Sequence, residues 1–232
     1  MKEFNDIGIS RELDLPRIRK LLSIGVFASL LHLVGCMILG WGAEDESAAG
    51  LLRILSAYAE TSDGGILAAG LLGLFGMTLE GLSLFGIYRL MAGQSPRYAH
   101  SYRTGIFGYL MFGACGLHLP VCALALLMKH GVEGELLRTY AGYFLLPAAL
   151  LFLIFFLVGE IAKLKAFLEG KTPYPAWCAV FCIPTGILLA AIVKLFGNFP
   201  FVNALFLSGL ALGNLLTFAA LLILLKRVEK NS

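Results

Sequence analysis

The chain has 232 residues, of which 59% are hydrophobic and only 14% charged, with a formal net charge of +3. Soluble domains carry roughly 25% charged residues, and here the charges are crowded between long apolar runs, so composition excludes a soluble globular domain and indicates an integral membrane protein. The basic excess flanks those runs, where Lys and Arg meet anionic lipid head groups, so no nucleic-acid partner is expected.

Residues 1 to 20 mix Glu3, Asp6, Glu12 and Asp14 with basic residues, and no small-residue cleavage site closes the first apolar run, so no cleaved signal peptide is expected. A helix needs about 20 apolar residues to cross a hydrocarbon core of about 30 Å. Six runs meet that length, at roughly 20–41, 66–90, 104–128, 140–162, 176–197 and 201–225. The expected fold is all-α: one polytopic transmembrane bundle over residues 1–232, six helices as three hairpins. The first outer loop, 43–64, opens with "AEDES" and then places Leu51, Leu52, Ile54, Leu55 and Tyr58 at helical spacing. That pattern predicts an amphipathic helix on the outer face, either a connector or a lid. "GQSPRYA" at 93–99 and "GKTPYPA" at 170–176 occupy matching turns, and Pro16 stands at the same place before the first helix. These matches suggest a threefold hairpin repeat, although Gly, Ser, Thr and Pro are also ordinary turn residues. Pro120, Pro147 and Pro184 fall inside runs and are expected to kink them, and "KLFGNFP" at 194–200 is too short to cover anything.

Orientation follows from the cations. With a cytoplasmic N-terminus, the inner segments hold Lys2, Arg11, Arg17, Arg19, Lys20, Arg89, Arg97, Arg103, Lys163, Lys165, Lys171, Lys226, Arg227 and Lys230, against Arg53, Lys129, Arg138 and Lys194 outside. Positive residues stay inside, which predicts a multi-pass inner-membrane protein with both termini cytoplasmic (N-in/C-in). Cys36, Cys115, Cys122, Cys178 and Cys182 all lie within predicted spans, so no disulfide framework is expected. Cys178 and Cys182 are spaced i, i+4, a weak metal signal without a neighbouring His or acid.

The informative residues are polar and deep. Gly73, Gly76, Glu80 and Ser83 follow 3, 4, 3 spacing and so form one stripe, as do Gly25, Ala28, His32 and Gly35 in the first run. Gly108, Cys115, His118 and Cys122 are expected on one face of the third run, and Asn203, Asn214 and Thr217 on one face of the sixth, beside a Gly209/Gly213 close-approach pair. A charge at mid-helix costs roughly 2.5 to 3.5 kcal/mol on insertion scales, so an acid there is neutralised, paired or wet. Glu160, three residues before Lys163, is expected as a surface pair, and Lys194 is expected to snorkel to the outer interface.

Three functional classes follow. In the first, His32, Glu80, His118 and Asn214 line a midplane site that binds or transports a small molecule. In the second, His32, Glu80 and His118 hold a metal such as zinc in an intramembrane hydrolase, or His32 and His118 hold a haem; no HExxH motif is present and no cofactor is named by the sequence. In the third, the cluster is interhelical glue in a non-catalytic subunit. The lipid bilayer is the one partner expected throughout; a small-molecule ligand, a second copy or a partner membrane subunit are the others considered.

The turns Gly93 to Pro96 and Gly170 to Pro173, with Glu80 in the second helix, resemble those of uncharacterised bacterial six-helix membrane families, over nearly the whole chain. Such a resemblance implies the fold but no chemistry. Six helices with both ends inside also resemble, in topology alone, the substrate-binding subunits of energy-coupling-factor vitamin transporters.

Overall fold

The computed structural model of the chain describes residues 13–47, 49–132 and 134–231, and among them all regular structure is helical. Helix α1 (Leu15–Leu39) begins where Asp14 accepts the Arg17 amide at 3.0 Å and Pro16 occupies a first-turn position that needs no N–H. The connector between the first and second apolar runs folds as α2 (Leu51–Ser56) and a 3-10 turn (Ala57–Glu60). Helix α3 (Asp63–Ala92) starts at Ser62, whose hydroxyl accepts the Gly65 amide at 3.1 Å. Then come α4 (Pro96–Lys129), α5 (Gly134–Leu168), α6 (Ile183–Lys194), α7 (Pro200–Leu207) and α8 (Gly209–Asn231). Five of these, α1, α3, α4, α5 and α8, are long and apolar enough to cross a membrane.

The prolines do more than kink. Both α4 and α5 contain a π-helical stretch, Tyr109–His118 and Ala141–Leu145, and each stretch ends just before a proline, Pro120 and Pro147. Proline offers no N–H to the carbonyl four residues back and its ring crowds it, so the turn upstream is relieved by widening to i→i+5 bonding. Pro184 instead lies in the first turn of α6, after an extended Cys182, so it starts a helix.

The fifth and sixth apolar runs therefore differ from the uninterrupted helices expected. Helix α6 has 12 residues, about 18 Å of rise and short of a hydrocarbon core of about 30 Å. Ahead of it runs an irregular segment with a 3-10 turn at Ala176–Val180. This segment lies along α8: the Tyr174 hydroxyl donates to the Leu221 carbonyl at 2.9 Å, and the Thr217 hydroxyl donates to the Phe181 carbonyl at 3.3 Å. Irregular backbone at such a place is tolerated when protein, not lipid, satisfies it. Cys178 sits in the 3-10 turn and Cys182 is extended, so they share no helix face. The sixth run is interrupted at Ser208, which separates α7 from α8.

Helix α1 packs along α3, α4 along α5 and α6 along α8, with α1 also on α8. Missing side chains let these helices touch. A Cβ on Gly209 would lie 3.1 Å from that of Ala190, and one on Gly186 would overlap the Gly213 backbone, so the Gly209/Gly213 pair receives α6. Gly105 meets Gly159 in the same way, with a Cβ 2.6 Å from the opposing Cα. Just inward of that contact, Glu160 and Lys163 form a 2.7 Å ion pair in which both residues are buried, at 4% and 2% exposure. The expected surface pair is an internal one because α4 presses on this face of α5.

At the end of α6, the Lys194 ammonium is held by Glu44 and by Asn203. Arg53 approaches the other Glu44 oxygen at 3.4 Å. The Glu44 amide donates to Asn198 at 2.9 Å, and the Asn198 amide donates back to the Glu44 carbonyl at 3.0 Å. The short 194–200 loop, expected to cover nothing, thus clamps the first outer loop in place.

Candidate functional site

Helices α1 and α3 meet through their small-residue stripes, and those stripes decide what fits between them. A Cβ at Gly76 would lie 2.7 Å from the His32 amide nitrogen, and a Cβ at Gly73 would overlap the His118 imidazole. Only glycine there admits both histidines. Glu80, one turn further along α3, is fully buried, and its Oε2 lies 3.0 Å from His32 Nδ1. The same oxygen accepts a hydrogen bond from the Tyr109 hydroxyl, which in turn accepts one from Asn214 Nδ2 at 2.9 Å. One chain of contacts, His32 to Glu80 to Tyr109 to Asn214, therefore ties α1, α3, α4 and α8 together. Glu80 Oε1 and Asn214 Oδ1 have no hydrogen-bond partner among the described residues although both are buried. Such groups are rare in folded proteins and attract water or a bound group.

His118 lies beside this chain rather than within it. Its ring centroid is 5.9 Å from that of His32, edge to face, and its Nε2 is 3.0 Å from the Ala69 carbonyl oxygen. Both histidines open onto a cavity of about 150 Å³ lined also by Cys36, Tyr58, Met77, Gly113, Val121 and Leu210. Tyr58 comes from the connector between α1 and α3, where burial pushes its phenol above the ordinary value. The connector is packed into the bundle, with Leu55 and Ala57 also buried, and Tyr58 forms part of the cavity wall. The side chains of Leu51 and Leu52, part of the expected amphipathic face, lie outside the described residues.

The four residues singled out in the sequence, His32, Glu80, His118 and Asn214, are all brought to this region with Gly73, Gly76 and Cys122, whose Sγ lies 3.9 Å from His118 Nε2, but other expected neighbours are not. Cys115 is exposed toward the outside of α4, because the π-helical stretch changes the register on which its face was assigned. Asn203 belongs to the outer network, where its amide donates to the Gly42 carbonyl at 2.8 Å; the interruption at Ser208 removes it from the Asn214 face. Thr217 donates to the Gly213 carbonyl at 2.8 Å and to the irregular segment.

Two residues complete the site. Tyr109 precedes His118 by nine positions, roughly two and a half turns of α-helix, which would put them on opposite faces. Closed by i→i+5 bonds, the same stretch makes about two turns, and both face inward. Cys36 follows His32 by four, on one face of α1. One donor atom each from His32, Cys36 and His118 lies within 4.8 Å of the other two, close enough for one metal ion. Glu80 stands behind His32 and is not a member of that group. A haem fits less well, because a tetrapyrrole is larger than the cavity of about 150 Å³ on which both imidazoles converge.

No curated protein and no solved structure matches the chain significantly. A model described as a family of unknown function (DUF6796) matches residues 1–228, and the chain belongs to that family.

Proposed function

We propose that this membrane protein binds a small molecule or ion in the cavity between α1, α3 and α4, and carries it across the bilayer. The observation that carries the reading is the cavity itself: about 150 Å³, polar through His32 and His118, and lined also by Tyr58 of the connector. Interhelical glue needs hydrogen bonds but no space. Transport draws support from the interrupted sixth run, whose Leu207 and Leu210 line the cavity on either side of Ser208, since carriers place ligand sites beside interrupted helices, and from the π-helical stretch, a frequent mark of functional segments.

In this reading the bundle crosses the inner membrane six times, with α6 and its preceding irregular segment together making the fifth crossing. Fourteen cations against four keep both termini in the cytoplasm.

Native mass spectrometry of the detergent-extracted protein tests the binding. Val121 lines the cavity, so Val121→Phe fills it while adding only apolar bulk. The wild type is expected to retain a non-covalent adduct that the variant loses, with both proteins folded by thermal unfolding. An adduct of equal abundance in both, or in neither, removes the proposal.

A further inference from the structure

The donor set identifies the ligand more narrowly. We propose that His32, Cys36 and His118 form a three-ligand site for a soft or borderline transition-metal ion, Zn²⁺ or Cu⁺, with Glu80 orienting His32 from behind; this rests on the cavity being a binding site.

The hydrogen bonds select the ligand atoms. A carboxylate only accepts, so His32 bonded to Glu80 through Nδ1 at 3.0 Å carries its hydrogen there and leaves Nε2 for a metal. A carbonyl likewise only accepts, so His118 bonded through Nε2 to Ala69 at 3.0 Å leaves Nδ1. Metal-bound histidines commonly donate their other N–H to a carboxylate or a backbone carbonyl, which fixes ring orientation and tautomer. Here both partners are already present and are different ones. The near-perpendicular rings, at 87°, suit two imidazoles meeting one ion from different helices.

Cys36 supplies the third donor, a thiol in no disulfide, four residues from His32 on the same helix face. Two imidazoles and a thiolate favour zinc or copper over magnesium or calcium, which prefer oxygen. Three protein ligands leave a fourth position, and it opens into the cavity, where a water or an exchanging ligand fits. The thioether of Met77 lines the same space, which is why Cu⁺ stands beside Zn²⁺.

The Tyr109 and Asn214 contacts extend the same logic outward. Tyr109 donates to the oxygen that His32 uses, and Asn214 holds Tyr109, so the rotamer of Glu80 is fixed from α4 and α8. A site whose orienting carboxylate is held by two further helices is responsive to their movement. That is what a carrier needs to release a tightly held ion.

The test uses the full chain in nanodiscs, stripped with a chelator, then equilibrated with Zn²⁺, Cu⁺ under reducing conditions, Co²⁺ as a spectroscopic probe, or Mg²⁺. One equivalent of Zn²⁺ or Cu⁺ is expected to survive desalting and Mg²⁺ is not, and Co²⁺ is expected to give a thiolate charge-transfer band. Cys36→Ser, nearly isosteric, should abolish that band and weaken Zn²⁺ or Cu⁺ binding at least tenfold with the unfolding temperature retained. Glu80→Gln should weaken binding about 10- to 100-fold with the band kept. Failure to bind either ion, or binding that Cys36→Ser leaves unchanged, overturns the metal assignment. If that happens while the wild type still carries an organic adduct lost in Val121→Phe, the cavity reading stands alone; if the adduct is absent too, both fall.

Discussion

Two buried acids divide the molecule between them. Glu160 finds its cation three residues away on the same helix, and the Lys163 pair is pressed shut by α4 at the Gly105 to Gly159 contact. Glu80 has no Lys or Arg within two turns on its own helix and reaches His32, Tyr109 and, through Tyr109, Asn214 on three others. The first arrangement is local and tight. The second is long-range and borders open space. A buried acid marks function by how far it must go for partners and by what lies beside them, not by burial alone.

The sharpest way to break this comparison acts on the local pair. Removing one member of a buried ion pair costs about 3 to 5 kcal/mol, because the survivor is left charged in apolar surroundings, while replacing both is often close to neutral. Lys163→Met is therefore expected to destabilise strongly by denaturant unfolding, and Glu160→Gln with Lys163→Met to recover most of the loss. Neither change should alter metal retention at the His32 site. If Lys163→Met instead leaves stability intact and empties the cavity beside His32, the division between a structural and a functional acid is wrong.

What could be read from sequence follows the same division. The stripe from Gly73 to Ser83 and that from Gly25 to Gly35 lie on unbroken α-helix, where a 3.6-residue period holds, so the meeting of His32 with Glu80 was legible. The partner of Glu80 on α4 was not. Tyr109 and His118 share a face only because the helix widens before Pro120, and the same widening turned Cys115 outward. Spacing alone puts Cys36 on the His32 face, but nothing in the sequence places His118 against it. The surface pair expected at Glu160 failed for another reason: exposure depends on which helix covers a face, and Gly105 and Gly159 lie more than fifty residues apart in the chain. The fifth and sixth runs satisfied a hydropathy count that takes no notice of whether Cys182 or Ser208 continues a helix.

A middle-sized effect is expected where the two acids' surroundings differ most, at the glycines that make room for the histidines. In Gly73→Ala the new methyl overlaps the His118 ring, and overpacking of this kind costs about 1 to 3 kcal/mol. The imidazole must leave, so metal or adduct retention should fall further than stability does. At Gly105→Ala the overlap is with the Gly159 backbone. There stability should fall and retention should not. Measuring both quantities on both variants separates the sites without touching any polar residue.

The smallest expected change in stability is also the most discriminating. Glu80→Gln keeps the size of the side chain and an oxygen that accepts from Tyr109 and His32, so the interhelical contacts survive in neutral form. Interhelical hydrogen bonds in membrane proteins average about 0.6 kcal/mol and reach about 1.7, so the unfolding free energy is expected to move by no more than that. Glue contributes nothing beyond this figure. If the carboxylate serves only to hold helices together, ligand retention will track the small loss in stability. If it orients His32 toward the cavity, retention will fall by far more than stability can explain, and the gap between the two measurements is the functional contribution of the acid.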